Sequence, residues 1–179
     1  MLKRVNTNIK NNGFTIIEMV VYIALVSILL TVLFNVISFT FKSNNRLVAW
    51  SKVNSDTHSA IDRMTYEITN SQYIYLPTSN FSTTPDGQLS IVTEVNLSTN
   101  EQKAYIDFYL ENGTIFLKKD GQSPVALTSA DVSVSSLEFF YHKNGVRESV
   151  TIDLTINSAK SDMSDVSTHT INTIALRSI

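Results

Sequence analysis

An apolar run of 28 residues, 14–41, is the feature that most constrains this chain. As a helix it would be about 42 Å long at ~1.5 Å per residue, which exceeds the ~30 Å hydrocarbon core of a bilayer. A domain of the size that 179 residues allow has no interior long enough to bury such a helix. The run therefore predicts a membrane-spanning helix, and Glu18 is its one formally charged residue.

The helical pattern continues beyond the apolar run. No Pro or Gly interrupts residues 14–76, and apolar residues recur there at three- and four-residue steps. We predict one continuous helix with two parts, a membrane or filament-core part over 14–41 and an amphipathic part over 42–76. The stripe that we expect to pack on the rest of the protein consists of Leu47, Trp50, Val53, Thr57, Ile61, Met64 and Ile68.

The periodicity changes to two after Pro77, which predicts a β-rich domain over residues 77–179. Two hairpins are predicted around Asn112-Gly113 and Asn144-Gly145, because Asn-Gly is a strong signal for a tight turn between strands. Further strands are expected near 72–76, 88–93 and 168–176. The predicted fold class is α+β, with one long N-terminal helix packed on an antiparallel β-sheet domain.

Composition excludes several kinds of function. The formal net charge is −2 and 17% of residues are charged, which argues against a polycationic nucleic-acid binder. The 43% of hydrophobic residues argues against a disordered chain. There is no cysteine, so thiol catalysis, a disulfide framework and cysteine-based zinc sites are excluded.

No constellation of catalytic or metal-binding residues emerges from the remaining sequence. The three histidines show no pairing at ligand spacing, and no nucleophile elbow is present. Asp162 and Asp165 could contribute to a calcium loop, but two carboxylates are few for calcium. The aromatic residues near Phe140 alternate along strands and are expected to pack in the core. We therefore predict no catalytic residue, no metal and no cofactor.

The N-terminus carries several features that agree with one another. Residues 1–13 contain three basic residues, Lys3, Arg4 and Lys10, and no acidic residue. The stretch "GFTIIE" follows, in which Gly13 precedes the apolar run, Phe14 begins it and Glu18 is its fifth residue. This arrangement resembles the N-terminus of the type IV prepilins, the family that includes pilins and the pseudopilins of type II secretion. A conventional signal peptide would need a shorter apolar core and a small-residue cleavage site.

The resemblance implies a processing pathway and a set of partners. A prepilin peptidase would remove the basic leader by cutting between Gly13 and Phe14, and the new amino group of Phe14 would be N-methylated. Glu18 would pair with the Phe14 ammonium of a neighbouring subunit. The other expected partners are further pilins or pseudopilins, an inner-membrane assembly platform and the lipid bilayer. The basic leader places the N-terminus in the cytoplasm, so the β domain would lie outside before the chain joins an extracytoplasmic filament.

The implied function is that of a minor pilin or pseudopilin, a structural subunit rather than an enzyme. The segments "VSSLEFFYHKNG", "VTIDLTI" and "INTIALR" look similar to minor subunits of the general secretion pathway J and pilus-assembly W kind. Two alternatives remain open at this point. One is a single-pass membrane-anchored enzyme, sensor or binding domain, and the other is a minor pilin that captures DNA, which would need a basic patch.

Overall fold

The computed structural model describes residues 13–81, 87–94, 102–145 and 147–177. Its elements are one long helix, eight strands and a short 3-10 turn at Ser161–Met163. They follow in the order α1 (Ile16–Thr69), β1 (Ser71–Ile74), β2 (Gln88–Thr93), β3 (Ala104–Glu111), β4 (Thr114–Lys119), β5 (Val125–Ala126), β6 (Val132–Asn144), β7 (Arg147–Ser158) and β8 (Ser167–Ala175). The predicted α+β fold is confirmed.

Helix α1 is 54 residues long, as the uninterrupted pattern predicts. It ends at Thr69 rather than at residue 76, so the predicted boundary of the amphipathic part is wrong by several residues. The side chains of Asn70 and Ser71 donate hydrogen bonds to the carbonyls of Tyr66 and Ile68, at 2.8 and 2.7 Å. Such bonds compete with the helical ones and end the helix without Pro or Gly. The β domain accordingly begins at Ser71, ahead of Pro77.

The described part of the chain divides into two units, with the boundary between Asn44 and Asn45. In the first unit every described residue is exposed, including the large apolar side chains of the membrane-length run. In the second unit the helical residues from Ala49 to Ile68 contribute a buried stripe to the core. Each fully buried aliphatic side chain contributes roughly 1.5–3 kcal/mol to stability.

The buried stripe differs at its start from the predicted one. Leu47 and Trp50 are 64% and 55% exposed, whereas the small side chain of Ala49 is buried. Loops of the β domain reach this part of the helix through ion pairs, Arg46 to Asp165 at 2.6 Å and Lys52 to Asp131 at 3.4 Å. The prediction of a packing stripe is correct for residues 53–68 and wrong for its first two members.

The strands form two antiparallel sheets rather than a single one. One has five strands in the order β1-β2-β3-β4-β5, and the other has three in the order β6-β7-β8. The core between them and α1 is made of inward-facing residues of both sheets, such as Phe108, Leu117, Phe139 and Ile152. Alternation along each strand determines which residues enter this core.

The two predicted hairpins are present, but their turns differ. Asn112 and Gly113 both have positive φ, 51° and 73°, and lie between the paired residues Glu111 and Thr114. This is the turn that the Asn-Gly signal predicts. In the second hairpin, Asn144 is itself paired with Arg147, so the turn begins one residue later, at Gly145.

Candidate functional site

The start of helix α1 defines the geometry of the N-terminal site. Thr15 is the residue before the helix, and its hydroxyl accepts a hydrogen bond from the Glu18 N–H at 3.3 Å. Its carbonyl also accepts bonds from the N–H groups of Glu18 and Met19. Thr15 therefore caps the helix, and Glu18 occupies the third helical position. Sequence reasoning overlooked this cap, although Thr-x-x-Glu ahead of an apolar run is a recognised signal for it.

Gly13 and Phe14 lie outside the helix, in exposed backbone with no regular secondary structure. Packing does not require glycine at position 13, because a Cβ there would meet nothing within 4 Å. Gly87 is different, since a Cβ there would lie 2.6 Å from the Leu137 carbonyl oxygen. The fold therefore explains the glycine at position 87 and does not explain the one at position 13.

Glu18 lies in the first turn of α1, among exposed apolar side chains. Its position near the positive end of the helix dipole stabilises a negative charge by about 0.3–1 kcal/mol. In the part of the chain that the structure describes, no cation pairs with its carboxylate. The Phe14 ring is 68% exposed and lies 5.7 Å from the ring of Tyr22, centroid to centroid. Lys3, Arg4 and Lys10 lie outside the described residues.

Polar side chains inside the apolar run bond to their own helix. The hydroxyls of Ser27, Thr31 and Thr40 donate to the carbonyl four residues earlier, at 2.7–2.9 Å. The Asn35 side-chain amide likewise donates a hydrogen bond to the Thr31 carbonyl at 3.0 Å. These donors are therefore satisfied without water, which is the condition for a helix in lipid. Among the described residues, α1 is the one helix that is long and apolar enough to span a membrane, and its most apolar window is not buried by the protein.

The family described as the prokaryotic N-terminal methylation motif matches residues 8–34 of this chain. This motif supports the resemblance of the N-terminus to the type IV prepilin and pseudopilin family. The match includes Lys10, Gly13, Phe14 and Glu18, and it ends within the apolar run. No curated protein matches the chain, and no solved structure does.

The prepilin motif has general consequences for this protein. Prepilins are structural subunits that are processed by a prepilin peptidase and assemble with other pilins. The motif and the apolar N-terminal helix together fit anchoring in the inner membrane. The expected type IV pilin-like architecture, a long N-terminal helix packed on antiparallel sheets, is the one observed.

The other candidates from the sequence lie apart from this site. Asp165 pairs with Arg46, and His169 lies 2.6 Å from Asp153 on neighbouring strands. Among the described residues, no group of three or more potential ligands is placed to hold a metal ion. Two basic residues follow the aromatic residues 139–141. Lys143 is paired with Glu148 at 3.0 Å, and Arg147 is exposed.

A polar cluster outside the membrane segment links the two sheets. The Glu148 carboxylate accepts hydrogen bonds from Lys143, from the Tyr141 hydroxyl and from the backbone N–H of Ile74 in β1. Burial raises the pKa of Glu148, but these hydrogen bonds and the nearby Lys143 charge outweigh it and hold the pKa below its ordinary value. Burial and the bond to Glu148 raise the pKa of Tyr141. The bond to Glu148 also raises the pKa of Lys143.

Proposed function

We propose that this prepilin is a minor pilin or pseudopilin, which initiates, caps or adapts a type IV pilus-like filament. Such a filament would serve secretion, pilus assembly or DNA uptake. The observation that carries the proposal is Glu18, the single carboxylate of the apolar run 14–41, in a part of helix α1 that is exposed throughout. A charge at the bilayer centre costs roughly 2.5–3.5 kcal/mol, so this position needs a compensating partner when it enters an apolar environment.

The partner that we propose for Glu18 is the amino group of Phe14 in a neighbouring subunit. Cleavage between Gly13 and Phe14 creates that amino group, whose ordinary pKa of about 7.7–8 leaves it largely cationic at neutral pH. N-methylation keeps the positive charge. Each charge offsets the desolvation of the other in the filament core, so the pair determines register more than it adds stability.

The glycine at position 13 supports this cleavage site. A Cβ at this position would meet nothing within 4 Å, so packing does not account for the glycine, and a requirement of the peptidase would. An extended substrate without a Cβ can approach closely to a peptidase cleft. Lys3, Arg4 and Lys10 would hold the leader on the cytoplasmic face, where the peptidase cuts and the assembly platform receives the subunit.

The subtype that we propose is a minor subunit of the general secretion pathway J or pilus-assembly W kind. The three sequence segments that look similar to those subunits lie on β6, β7 and β8, which form one continuous antiparallel sheet. Strand β6 carries Phe139, Phe140 and Tyr141, and it places Phe139 in the core and Tyr141 in the cluster with Glu148.

Substitution of Glu18 tests the proposed function. We expect Glu18→Gln to be cleaved normally but recovered in sheared filaments at least about tenfold less than the wild type, because the ammonium of the neighbour is left unpaired. Glu18→Asp keeps the charge and should retain part of the recovery. Asp162→Asn, at an exposed site in the β domain, is the matched control. Equal recovery of Glu18→Gln and wild type would contradict the proposal.

A further inference from the structure

Three of the four edge strands in the two sheets are protected against pairing with another chain. Strand β1 has four residues and a register shift, and β5 has two residues directly after Pro124. The outer edge of β6 is occupied, because its Leu137 carbonyl accepts the Gly87 N–H and its Val134 N–H donates to the Gly113 carbonyl. Short strands, bulges, prolines and covering segments are the usual ways to protect an edge.

Strand β8 has none of these protections along Ser167–Ala175. It is nine residues long and contains no Pro, Lys, Arg, Asp or Glu. Its register with β7 is unbroken over nine residue pairs. It is rich in threonine and isoleucine, which favour extended structure. In the described residues, no backbone other than that of β7 is hydrogen-bonded to this strand.

The hydrogen bonds at the two ends of this ladder determine which groups point outward. Leu176 donates its N–H to the Glu148 carbonyl at 3.0 Å, and the Val166 carbonyl accepts the N–H of Ser158 at 2.9 Å. In an antiparallel ladder, bonded and non-bonded pairs alternate, so the even-numbered residues of β8 bond to β7. The odd-numbered residues direct their N–H and C=O groups away from the sheet, and all of them are exposed, Ile171 to 60%.

We propose that β8 accepts an extended strand from a neighbouring subunit of the filament, which adds a fourth strand to the β6-β7-β8 sheet. Alternating free N–H and C=O groups recognise an extended backbone, and the absence of Lys, Arg, Asp and Glu from β8 fits a strand that is uncharged and alternately apolar. The one ionisable side chain of β8, His169, contacts Asp153 of β7. The proposal rests on the proposed filament function. Two copies of β8 paired with each other would form an isologous contact that closes on itself, whereas a filament needs heterologous contacts.

Hydrogen exchange of individual β8 amides tests this proposal on the full-length protein. In detergent, we expect the amides of His169, Ile171 and Thr173 to exchange fast and those of Thr170 and Asn172 to exchange slowly. In isolated filaments the first three should become at least about tenfold slower, while the other two serve as internal controls. If the protein is in the filaments and the three amides still exchange fast, strand addition is wrong and the filament function stands. If the protein is never recovered in filaments, both proposals fail.

A proline substitution tests the same edge by a different route. Thr173→Pro removes an outward N–H that the ladder with β7 does not use, so the sheet should remain intact. The matched control is Thr173→Ala, which loses the same hydroxyl contact with Thr151 but keeps the N–H. We expect at least about fivefold less Thr173→Pro than Thr173→Ala in filaments, with unchanged slow exchange at Thr170 and Asn172. Equal recovery of the two variants would contradict strand addition.

Discussion

The two parts of helix α1, residues 16–48 and residues 49–68, differ in whether the protein covers their apolar side chains. From Ile16 to Val48 every residue is exposed, and 20 of the first 26 positions are apolar. From Ala49 to Ile68 the buried residues lie along one stripe, which the β domain of the same chain covers. The stripe of the second part is thus buried within one molecule. The apolar surface of the first part is left uncovered within the molecule, and we propose that its one carboxylate, Glu18, is where contact with another subunit is specific.

The largest effect that distinguishes the two parts is expected from large-to-small substitutions. Met64 is fully buried, so Met64→Ala should lower the free energy of unfolding of the β domain by about 2–5 kcal/mol. Leu33→Ala, in the exposed part, should leave it unchanged. Denaturant unfolding of the full-length protein in detergent, followed by near-UV circular dichroism, measures both. A loss of stability in Leu33→Ala comparable to that in Met64→Ala would contradict the division.

Gly87 and Gly13 extend the same comparison to cleavage of the leader. Gly87→Ala should lower the free energy of unfolding by about 1–3 kcal/mol, because the added Cβ overlaps the Leu137 carbonyl, and it should leave leader cleavage unchanged. Gly13→Ala should do the reverse, with unchanged stability and slower cleavage. Unfolding experiments and the ratio of long to short chain on a gel measure the two effects. Normal cleavage in both variants would show that the peptidase does not require Gly13.

The smallest expected effect is a pH-dependent change in the stability of the β domain. Because the pKa of Glu148 is lowered in the folded state, its contribution is full at neutral pH and is lost as the pH falls below about 4. Glu148→Gln should therefore cost about 1 kcal/mol at pH 7 and less at pH 3. Glu111→Gln, at an exposed site, is the control. A cost that does not shrink at low pH would show that the carboxylate charge is not responsible.

Much of this architecture could be predicted because periodicity records which face of an element is buried. The uninterrupted run over 14–76 predicted α1, and alternation with Asn112-Gly113 predicted the β3–β4 hairpin. The end of the helix was missed because it depends on hydrogen bonds of the Asn70 and Ser71 side chains rather than on Pro or Gly. The exposure of Trp50 was missed because spacing alone does not reveal how far the β domain extends along the helix.

Residue types alone predict a candidate N-terminal site, whereas they do not predict the open edge of β8. Gly13, Phe14 and Glu18 lie within six residues of one another, so a local pattern contains the whole site. The edge of β8 depends on strand order and on the protection of β1, β5 and β6, which are long-range properties of the fold. Thr15 is an intermediate case, because its capping role follows from a local pattern that is easily overlooked beside the glycine.

The most direct measurement is the intact mass and N-terminal sequence of the protein isolated from its native membrane. Processing as a prepilin predicts a chain that begins at Phe14 and carries one additional methyl group on its amino nitrogen. A chain that still begins at Met1, in cells with an active prepilin peptidase, would contradict the account and favour an ordinary membrane anchor.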